Sequence, residues 1–130
     1  MAQPTYDDAN LILRLYELRR EEKMRKARHW FLFEFKPGSW EEIKDIYFTG
    51  EETDNYIRMV TSYWNMVSVF VRQGILNKEL FFATNGENIV VWRKTEPWIG
   101  GARKQFNRPT YLGDLEAVAK EHLEWRSKQS

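Results

Sequence analysis

The stretch ETDNYIRMVTSYWNMVSVFVRQ, residues 52–73, decides the fold. Its apolar residues recur at steps of three and four, which is the spacing of neighbouring positions on one face of an α-helix. The apolar arc is wider than a surface helix needs, and Gly74 follows where a left-handed residue would close the helix. We therefore predict a helix at 52–73 in the centre of the fold. The apolar stripe consists of Tyr56, Val60, Tyr63, Val67 and Phe70.

The opposite face of this helix is polar. Thr61, Asn65 and Ser68 have small side chains, which suit a close helix neighbour or a small polar cleft. Arg58 and Arg72 lie near the two ends, where guanidinium groups would fit an anionic ligand. Exposure to solvent is the simpler interpretation of this face, and we prefer it. Arg58, Asn65 and Arg72 are nevertheless candidate residues for binding an anionic ligand.

The rest of the chain also divides into segments of helical length. Glycine, proline and asparagine turns separate the segments, and no repeat or linker splits the chain. Residues 88–92, NIVVW, would suit a strand, but no alternating segment lies near enough to pair with them, so we assign a helix. A chain of 130 residues fits one domain, so we predict a single-domain, all-α bundle of about six to seven helices over residues 1–130. The predicted helices are 8–34, 40–48, 52–73, 78–84, 87–95, 97–106 and 111–127.

The charged segment RREEKMRKAR, residues 19–28, separates two apolar stretches. Apolar positions continue through it on one line of the helical wheel, and acidic residues precede basic ones by four positions, which favours a helix. We therefore predict one long helix at 8–34, with the charged segment on its solvated face. Leu11, Leu15 and Leu18 form a second apolar stripe, which we expect to contact a second copy of the chain or the C-terminal helix.

The composition removes several classes of site. The chain has no cysteine, so disulfides, thiolate catalysis and cysteine-bound metals are excluded. Its two histidines, His29 and His122, have no acid or second histidine at a metal-ligand spacing on a helix. The sequence also contains none of the serine-hydrolase, dinucleotide-binding or P-loop motifs. We therefore predict no catalytic residue, no cofactor and no metal site.

Hydropathy and charge argue against membrane association. No apolar run approaches the about 18 residues of a membrane-spanning helix, and MAQPTYDD, residues 1–8, lacks the features of a signal peptide. The formal net charge of +1 favours neither nucleic acid nor an acidic membrane surface. We expect a cytoplasmic protein without a membrane span.

Two basic stretches make nucleic acid an alternative partner, although the least favoured one. Residues 14–28 hold seven cations against three acids, and residues 93–108 hold five against one. The second stretch includes Trp98 and Arg103 and follows Trp92, and such mixtures of basic and aromatic residues stack on bases. No helix-turn-helix or RNA-binding signature accompanies them. Trp92, Trp98 and Arg103 are therefore candidate binding residues, although we expect the two tryptophans to serve mainly in packing.

The later part of the chain resembles a known family. The segments VSVFVRQGILNKELFF (67–82), VVWRK (90–94) and PWIGGARKQFNRPTYLGDLEAVAKEH (97–122) resemble an uncharacterised bacterial family of small helical proteins, described only as a domain of unknown function. The resemblance covers mainly residues 56–122 and implies an all-α fold. It implies no activity, cofactor or catalytic residue. Some members of that family have an N-terminal membrane anchor, which we do not expect here.

The aromatic content indicates interaction rather than catalysis. Aromatic residues make up 15% of the chain, which is hard to bury completely in a domain of this size, and leftover aromatic surface is typical of interfaces. Our leading hypothesis is a non-enzymatic protein-interaction or regulatory domain that forms a homo-oligomer. The first alternative is a protein that binds a small anionic ligand through Arg58, Asn65 and Arg72 or through the Trp92–Arg103 region. The second is a protein that binds nucleic acid through the two basic stretches.

Overall fold

Seven α-helices and one π-helical turn make up the part of the chain that the structure describes, residues 3–129 of a computed structural model. These residues form no β-strand, which confirms the predicted all-α bundle. We number the α-helices in chain order and call Trp30–Glu34 the π-helix. The α-helices are α1 (Tyr6–Arg19), α2 (Glu22–His29), α3 (Trp40–Tyr47), α4 (Glu52–Arg72), α5 (Lys78–Thr84), α6 (Glu87–Gln105) and α7 (Gly113–Ser127).

The helix α4 is central, as predicted, and packs against the π-helix and against α2, α3, α5, α6 and α7. Ile57, Val60 and Trp64 on its buried side are almost completely inaccessible to solvent. The helix ends before Gly74, whose φ of +76° is a left-handed conformation that other residues adopt only with strain. The remaining helices are therefore arranged around α4.

The small polar residues of α4 do not face solvent, so our preference for an exposed face is wrong at Thr61 and Ser68. These two residues are 1% and 0% exposed. The Thr61 hydroxyl donates to the Ile57 carbonyl at 2.8 Å, and the Ser68 hydroxyl donates to the Trp64 carbonyl at 2.7 Å. Because both hydroxyls are satisfied within the helix, their small side chains allow a neighbouring helix to approach closely without an unpaired polar group.

The predicted long helix at 8–34 is wrong, because the chain forms α1, α2 and the π-helix there. α1 ends at Arg19, and the Glu21 carboxylate accepts hydrogen bonds from the backbone N–H groups of Lys23 (3.0 Å) and Met24 (3.1 Å). These bonds satisfy free donors at the start of α2, so a new helix begins inside the charged segment. The charge pairs spaced four positions apart within residues 19–28 stabilise a continuous helix too little to prevent this break.

A single helix, α6, replaces the two helices predicted at 87–95 and 97–106. Residues 88–92 are helical, as predicted. Pro97 lies inside α6 on its exposed side, where water can reach the backbone carbonyl that proline leaves without a donor. A proline on an exposed helix side therefore does not end this helix.

An aromatic cluster fills the space between α3 and α6. The Trp40 ring lies 6.2 Å from the Trp98 ring and 5.4 Å from the Tyr47 ring, measured between centroids. Trp92 and Trp98 are 3% and 0% exposed, so both are core residues. α3 and α6 approach closely because Gly101 has no side chain, since a Cβ there would lie 2.3 Å from the Trp40 Cβ.

His122 is buried on α7 beside Phe82. The His122 Nε2 atom lies 3.1 Å from the Phe82 carbonyl oxygen, and the two rings stack with centroids 4.4 Å apart. The Nδ1 atom has no hydrogen-bond partner among residues 3–129. Burial lowers the pKa of His122, against the opposing effect of the bond to Phe82. The folded chain therefore favours the neutral imidazole.

We expect the free energy of unfolding to decrease as the pH falls below about 6.5, the ordinary pKa of histidine. The unfolded chain takes up the His122 proton at a higher pH than the folded chain does, so acid shifts the equilibrium toward the unfolded state. Urea denaturation at about pH 7.5 and pH 5.5 measures the loss, in a range above the ordinary titration of carboxylates. The His122→Gln variant should lose less stability over this range. Equal losses in the two proteins would contradict the prediction.

Candidate functional site

A groove lies between α2, the π-helix and the start of α4. It has a volume of about 860 Å³, which is within the range of ligand pockets, and it is open to solvent. We call it the α2–π groove. Its walls combine cationic and aromatic side chains, among them Arg25, Lys26, His29, Trp30, Phe33 and Tyr56.

Some aromatic side chains in and next to the π-helix are buried in the core, and others are exposed at the surface. Phe31 and Phe35 are core residues, 0% and 3% exposed. Phe33, between them, is 71% exposed and lines the α2–π groove. Trp30 is partly buried, and its ring stacks on the Phe35 ring with centroids 4.9 Å apart. Phe31, Phe35 and Trp30 therefore pack against the core, and they leave the Phe33 ring exposed in the groove.

Most of the charges in the α2–π groove are paired within the chain. The Lys26 Nζ atom lies 3.6 Å from the Glu22 carboxylate, and the His29 Nε2 atom lies 3.9 Å from the Glu34 carboxylate. Arg25 is exposed and has no carboxylate partner in the described part of the chain. The groove therefore offers one unpaired guanidinium group near the exposed Phe33 ring.

Arg28, which also lines the α2–π groove, connects α2 to the rest of the fold. Its guanidinium donates to the Glu87 carboxylate at 2.8 and 2.6 Å and to the Arg19 carbonyl at 3.1 Å. The same carboxylate accepts a hydrogen bond from Trp64 Nε1 at 2.9 Å. The hydrogen bonds with Glu87 raise the pKa of Arg28. The Arg28 guanidinium therefore stabilises the fold and is not free to bind a partner.

Arg58, predicted to bind an anionic ligand, links α4 to α3. Its Nε atom donates to the Asp54 carboxylate at 2.8 Å, and its Nη2 atom donates to the backbone carbonyl of Tyr47 at 3.0 Å. The guanidinium also lies over the Tyr47 ring, 4.1 Å from its centroid. Three contacts within the chain thus hold this arginine.

Arg72 and Arg103 lie together in a second groove at the start of α7, which has a volume of about 490 Å³. The Arg72 Nη1 atom donates to the Asp114 carboxylate at 2.9 Å, and the Arg103 Nη2 atom donates to the Glu116 carboxylate at 2.8 Å. The structure therefore brings two of the predicted arginines together, away from Arg58. Each of the two faces a carboxylate of α7, which an anionic ligand would have to displace.

Asn65 caps α7 from its position on α4. Its Oδ1 atom accepts a hydrogen bond from the Leu115 backbone N–H at 2.9 Å. The residue at the N-cap position of α7 itself is Leu112, which has a φ of +57° and no side-chain acceptor. Asn65 supplies the oxygen that a local serine, threonine or aspartate usually provides. This contact gives Asn65 a structural role.

Replacing Asn65 with alanine should lower the free energy of unfolding by about 1–2 kcal/mol, because the Leu115 N–H loses its acceptor at a helix start. Urea denaturation measures the change. The control is Asn55→Ala, at an exposed position of the same helix, which should change stability by less than about 0.5 kcal/mol. Similar losses at both positions would contradict the capping role.

Leu11, Leu15 and Leu18, the predicted second stripe of the first helix, occupy different environments. Leu15 is 7% exposed and belongs to the core, whereas Leu18 is 45% exposed. Leu11 is partly buried against the core. Leu15 therefore packs within its own chain, and the three residues form no continuous exposed surface.

The helices and grooves described above lie almost entirely within one known domain. A family model described as Domain of unknown function (DUF4760) matches residues 4–125. The chain belongs to this family. The match confirms the resemblance to a family of unknown function, while a bacterial origin stays a prediction. No curated protein and no solved structure matches the chain.

Two observations bear on the chemistry of this DUF4760 domain. Every helix within residues 3–129 is too short or too polar to cross a membrane. The same residues contain no group of three or more histidine, aspartate or glutamate side chains that could hold a metal ion.

Sequence reasoning missed the α2–π groove of the DUF4760 domain. The sequence pattern predicts only a solvated helix face for the charged segment 19–28 and no separate role for the aromatic run HWFLFEF, residues 29–35. An aromatic run directly after a basic run was the available signal. At 100° per residue Phe33 lies about 200° from the buried Phe31, so the helical wheel already places it on the outer side; what the sequence did not show is the groove that surrounds it.

Proposed function

We propose that this DUF4760 domain is a non-enzymatic protein-interaction domain, and that the α2–π groove binds a partner segment that presents an apolar side chain beside a carboxylate. The observation that carries the proposal is the Phe33 ring, 71% exposed in a groove that also contains the unpaired Arg25. Exposed aromatic side chains with polar surroundings are typical of binding surfaces.

The two parts of the groove have different roles in this proposal. Phe33 and Trp30 form an apolar surface on which a leucine or tryptophan of the partner would be buried, at a gain of about 25 cal/mol per Å² of apolar area. Arg25 can bind a carboxylate through two parallel hydrogen bonds. Because Arg25 is exposed, this ion pair contributes little affinity and mainly orients the segment.

The contacts of the other candidate residues favour this function over the two alternatives. Arg72 and Arg103 are paired with carboxylates, which disfavours a small anionic ligand. Trp92 and Trp98 are buried, so neither indole is accessible for stacking on a base. Nucleic-acid binding also uses several unpaired cations, whereas Arg25 is the one unpaired cation among the described residues that line the α2–π groove.

Titration of the full chain with two short synthetic peptides tests the proposal. One peptide places a tryptophan between glutamates, and the other replaces the glutamates with lysines. Amide NMR spectra locate the contact and give the affinity. We expect the acidic peptide to shift resonances of α2 and the π-helix, and we expect Phe33→Ala to weaken its binding at least about tenfold. Phe48→Ala removes another exposed phenyl ring, outside the groove, and should leave the affinity unchanged.

Charge reversal tests the orienting role of the arginine. Arg25→Glu should weaken binding of the acidic peptide several-fold, whereas Arg93→Glu, at an exposed position of α6, should not. Equal binding of the lysine peptide, or the same loss in Phe48→Ala as in Phe33→Ala, would overturn the proposal. Binding of single-stranded DNA that depends on Phe33 and excludes the acidic peptide would assign the groove to nucleic acid instead.

A further inference from the structure

A third groove lies between the start of α2, the first half of α4 and the connection between α6 and α7. It has a volume of about 490 Å³ and is open to solvent. We call it the α2–α4 groove. Within the described part of the chain it shares no lining residue with the α2–π groove, so the two surfaces are separate. It is lined by Lys23, Asn55, Arg58, Met59, Ser62 and Tyr111.

The lining of the α2–α4 groove offers hydrogen-bond donors and, among the described residues, no carboxylate. Lys23 is exposed and forms no salt bridge with another described residue, and the exposed Asn55 amide forms no hydrogen bond with one. The Ser62 hydroxyl donates to a backbone carbonyl of its own helix over a long 3.4 Å. In the groove at the start of α7, by contrast, carboxylates face both arginines. An anion entering the α2–α4 groove therefore has no lining carboxylate to displace.

Arg58 adds a cation whose orientation is fixed. Its Nε and Nη2 atoms donate to the Asp54 carboxylate and the Tyr47 carbonyl, whereas its Nη1 atom has no partner in the described part of the chain. The stacking on the Tyr47 ring holds the plane of the guanidinium. A donor that is already ordered loses little conformational entropy when a ligand binds. The contacts that tie Arg58 to the fold therefore also prepare its free Nη1 atom for an anion.

The donors on α4 are too far apart for a single small ion. Asn55, Arg58 and Ser62 follow one another at steps of three and four, which places them on one face of the helix. Asn55 and Ser62 are about 10 Å apart along the helix axis, at 1.5 Å per residue. The partly buried Met59 and Tyr111 add apolar surface beside this row. The groove therefore fits an anionic group attached to a small organic part better than it fits a free ion.

We propose that the α2–α4 groove binds a small organic phosphate monoester. Lys23 and Arg58 bind the phosphate group, which offers three acceptor oxygens and about 1.5–2 negative charges near pH 7 to the two cations. The organic part lies against Met59 and Tyr111. Because both cations are exposed, binding is weak and decreases as the salt concentration rises. This site does not depend on the peptide partner of the α2–π groove, so either proposal can fail without the other.

Titration of the full chain with phenyl phosphate, inorganic phosphate and phenol tests this proposal by amide NMR. The ionic strength is held constant at about pH 7.5, where a phosphate monoester is mainly a dianion. We expect phenyl phosphate to cause saturable shifts at residues 55–62 and 110–112. Inorganic phosphate should bind several-fold more weakly, and phenol should leave these amides unshifted. No saturable shift with phenyl phosphate, equal affinity for inorganic phosphate, or the same shifts with phenol would overturn the proposal.

Removal of single charges tests the two cations. Lys23→Gln and Arg58→Gln should each weaken the binding of phenyl phosphate several-fold. Lys104→Gln removes an exposed lysine of α6 that does not line the groove, and should leave the affinity unchanged. Because Lys23 is exposed, Lys23→Gln stays informative if Arg58→Gln fails to fold. An unchanged affinity in Lys23→Gln, or an equal loss in Lys104→Gln, would contradict the assigned site.

Discussion

Replacing Trp98 with alanine is expected to lower the free energy of unfolding by about 3–5 kcal/mol. The indole is completely buried, and its ring centroid lies 6.2 Å from that of Trp40 and 5.9 Å from that of Tyr47. Its removal would leave a cavity that the packed helices α3 and α6 close only in part. The indole N–H donates to the Lys94 carbonyl at 2.9 Å and is lost with the ring, so no unpaired donor remains. Urea denaturation measures the difference.

Two further variants separate the cavity from a general effect of substitution in α6. Val90 is 42% exposed on the same helix, so Val90→Ala should change stability by less than about 0.5 kcal/mol. Trp98→Phe should lose less stability than Trp98→Ala, because the phenyl ring fills part of the space. If Trp98→Ala were no less stable than Val90→Ala, the packing between α3 and α6 would be wrong.

Replacing Glu87 with alanine is expected to lower the free energy of unfolding by about 3 kcal/mol. Arg28 and Trp64 would both lose the carboxylate that they share. The side chains of Arg28 and Glu87 are only 21% and 13% exposed, so water can replace the lost hydrogen bonds only in part. The remaining guanidinium would be left without its counter-charge. Urea denaturation of the variant and the wild type measures this loss.

A double-mutant cycle shows how much of this loss belongs to the ion pair. Arg28→Ala combined with Glu87→Ala should cost at least about 1 kcal/mol less than the sum of the single changes, because no uncompensated charge remains. Glu96→Ala, at an exposed position of α6, is the control and should have little effect. Strictly additive losses would mean that Arg28 and Glu87 do not interact.

The elements that sequence reasoning predicted correctly depend on local chemistry. α4 follows from a period of three and four in its own residues, and it ends beside a glycine that adopts the left-handed conformation. The break between α1 and α2 was missed because Glu21 is not one of the short polar residues that usually cap helices, and the apolar period continues past it. At Pro97 the sequence predicts a helix end that does not occur. The proline lies on the exposed side of α6, so the helix continues through it.

The roles of the candidate site residues depend on partners that are distant in the sequence. Arg72 meets Asp114 across 42 positions, and Arg28 meets Glu87 across 59. No local pattern reveals such pairs, so an arginine that serves the fold looks the same in sequence as one that binds a ligand. Phe33 was missed although it lies about 200° from the buried Phe31 on a helical wheel, because a single exposed apolar residue is common on protein surfaces and does not by itself indicate a function.

The cap that Asn65 provides also has a consequence for how the chain is made. α7 has 15 residues, a length that is marginal for an isolated helix in water, and its capping oxygen belongs to a residue synthesised 50 positions earlier. When α7 leaves the ribosome, the helix α4 that caps it has therefore already been synthesised. Until α7 has been synthesised, the nascent chain exposes the side of α4 on which α7 packs, and that surface is prone to aggregation.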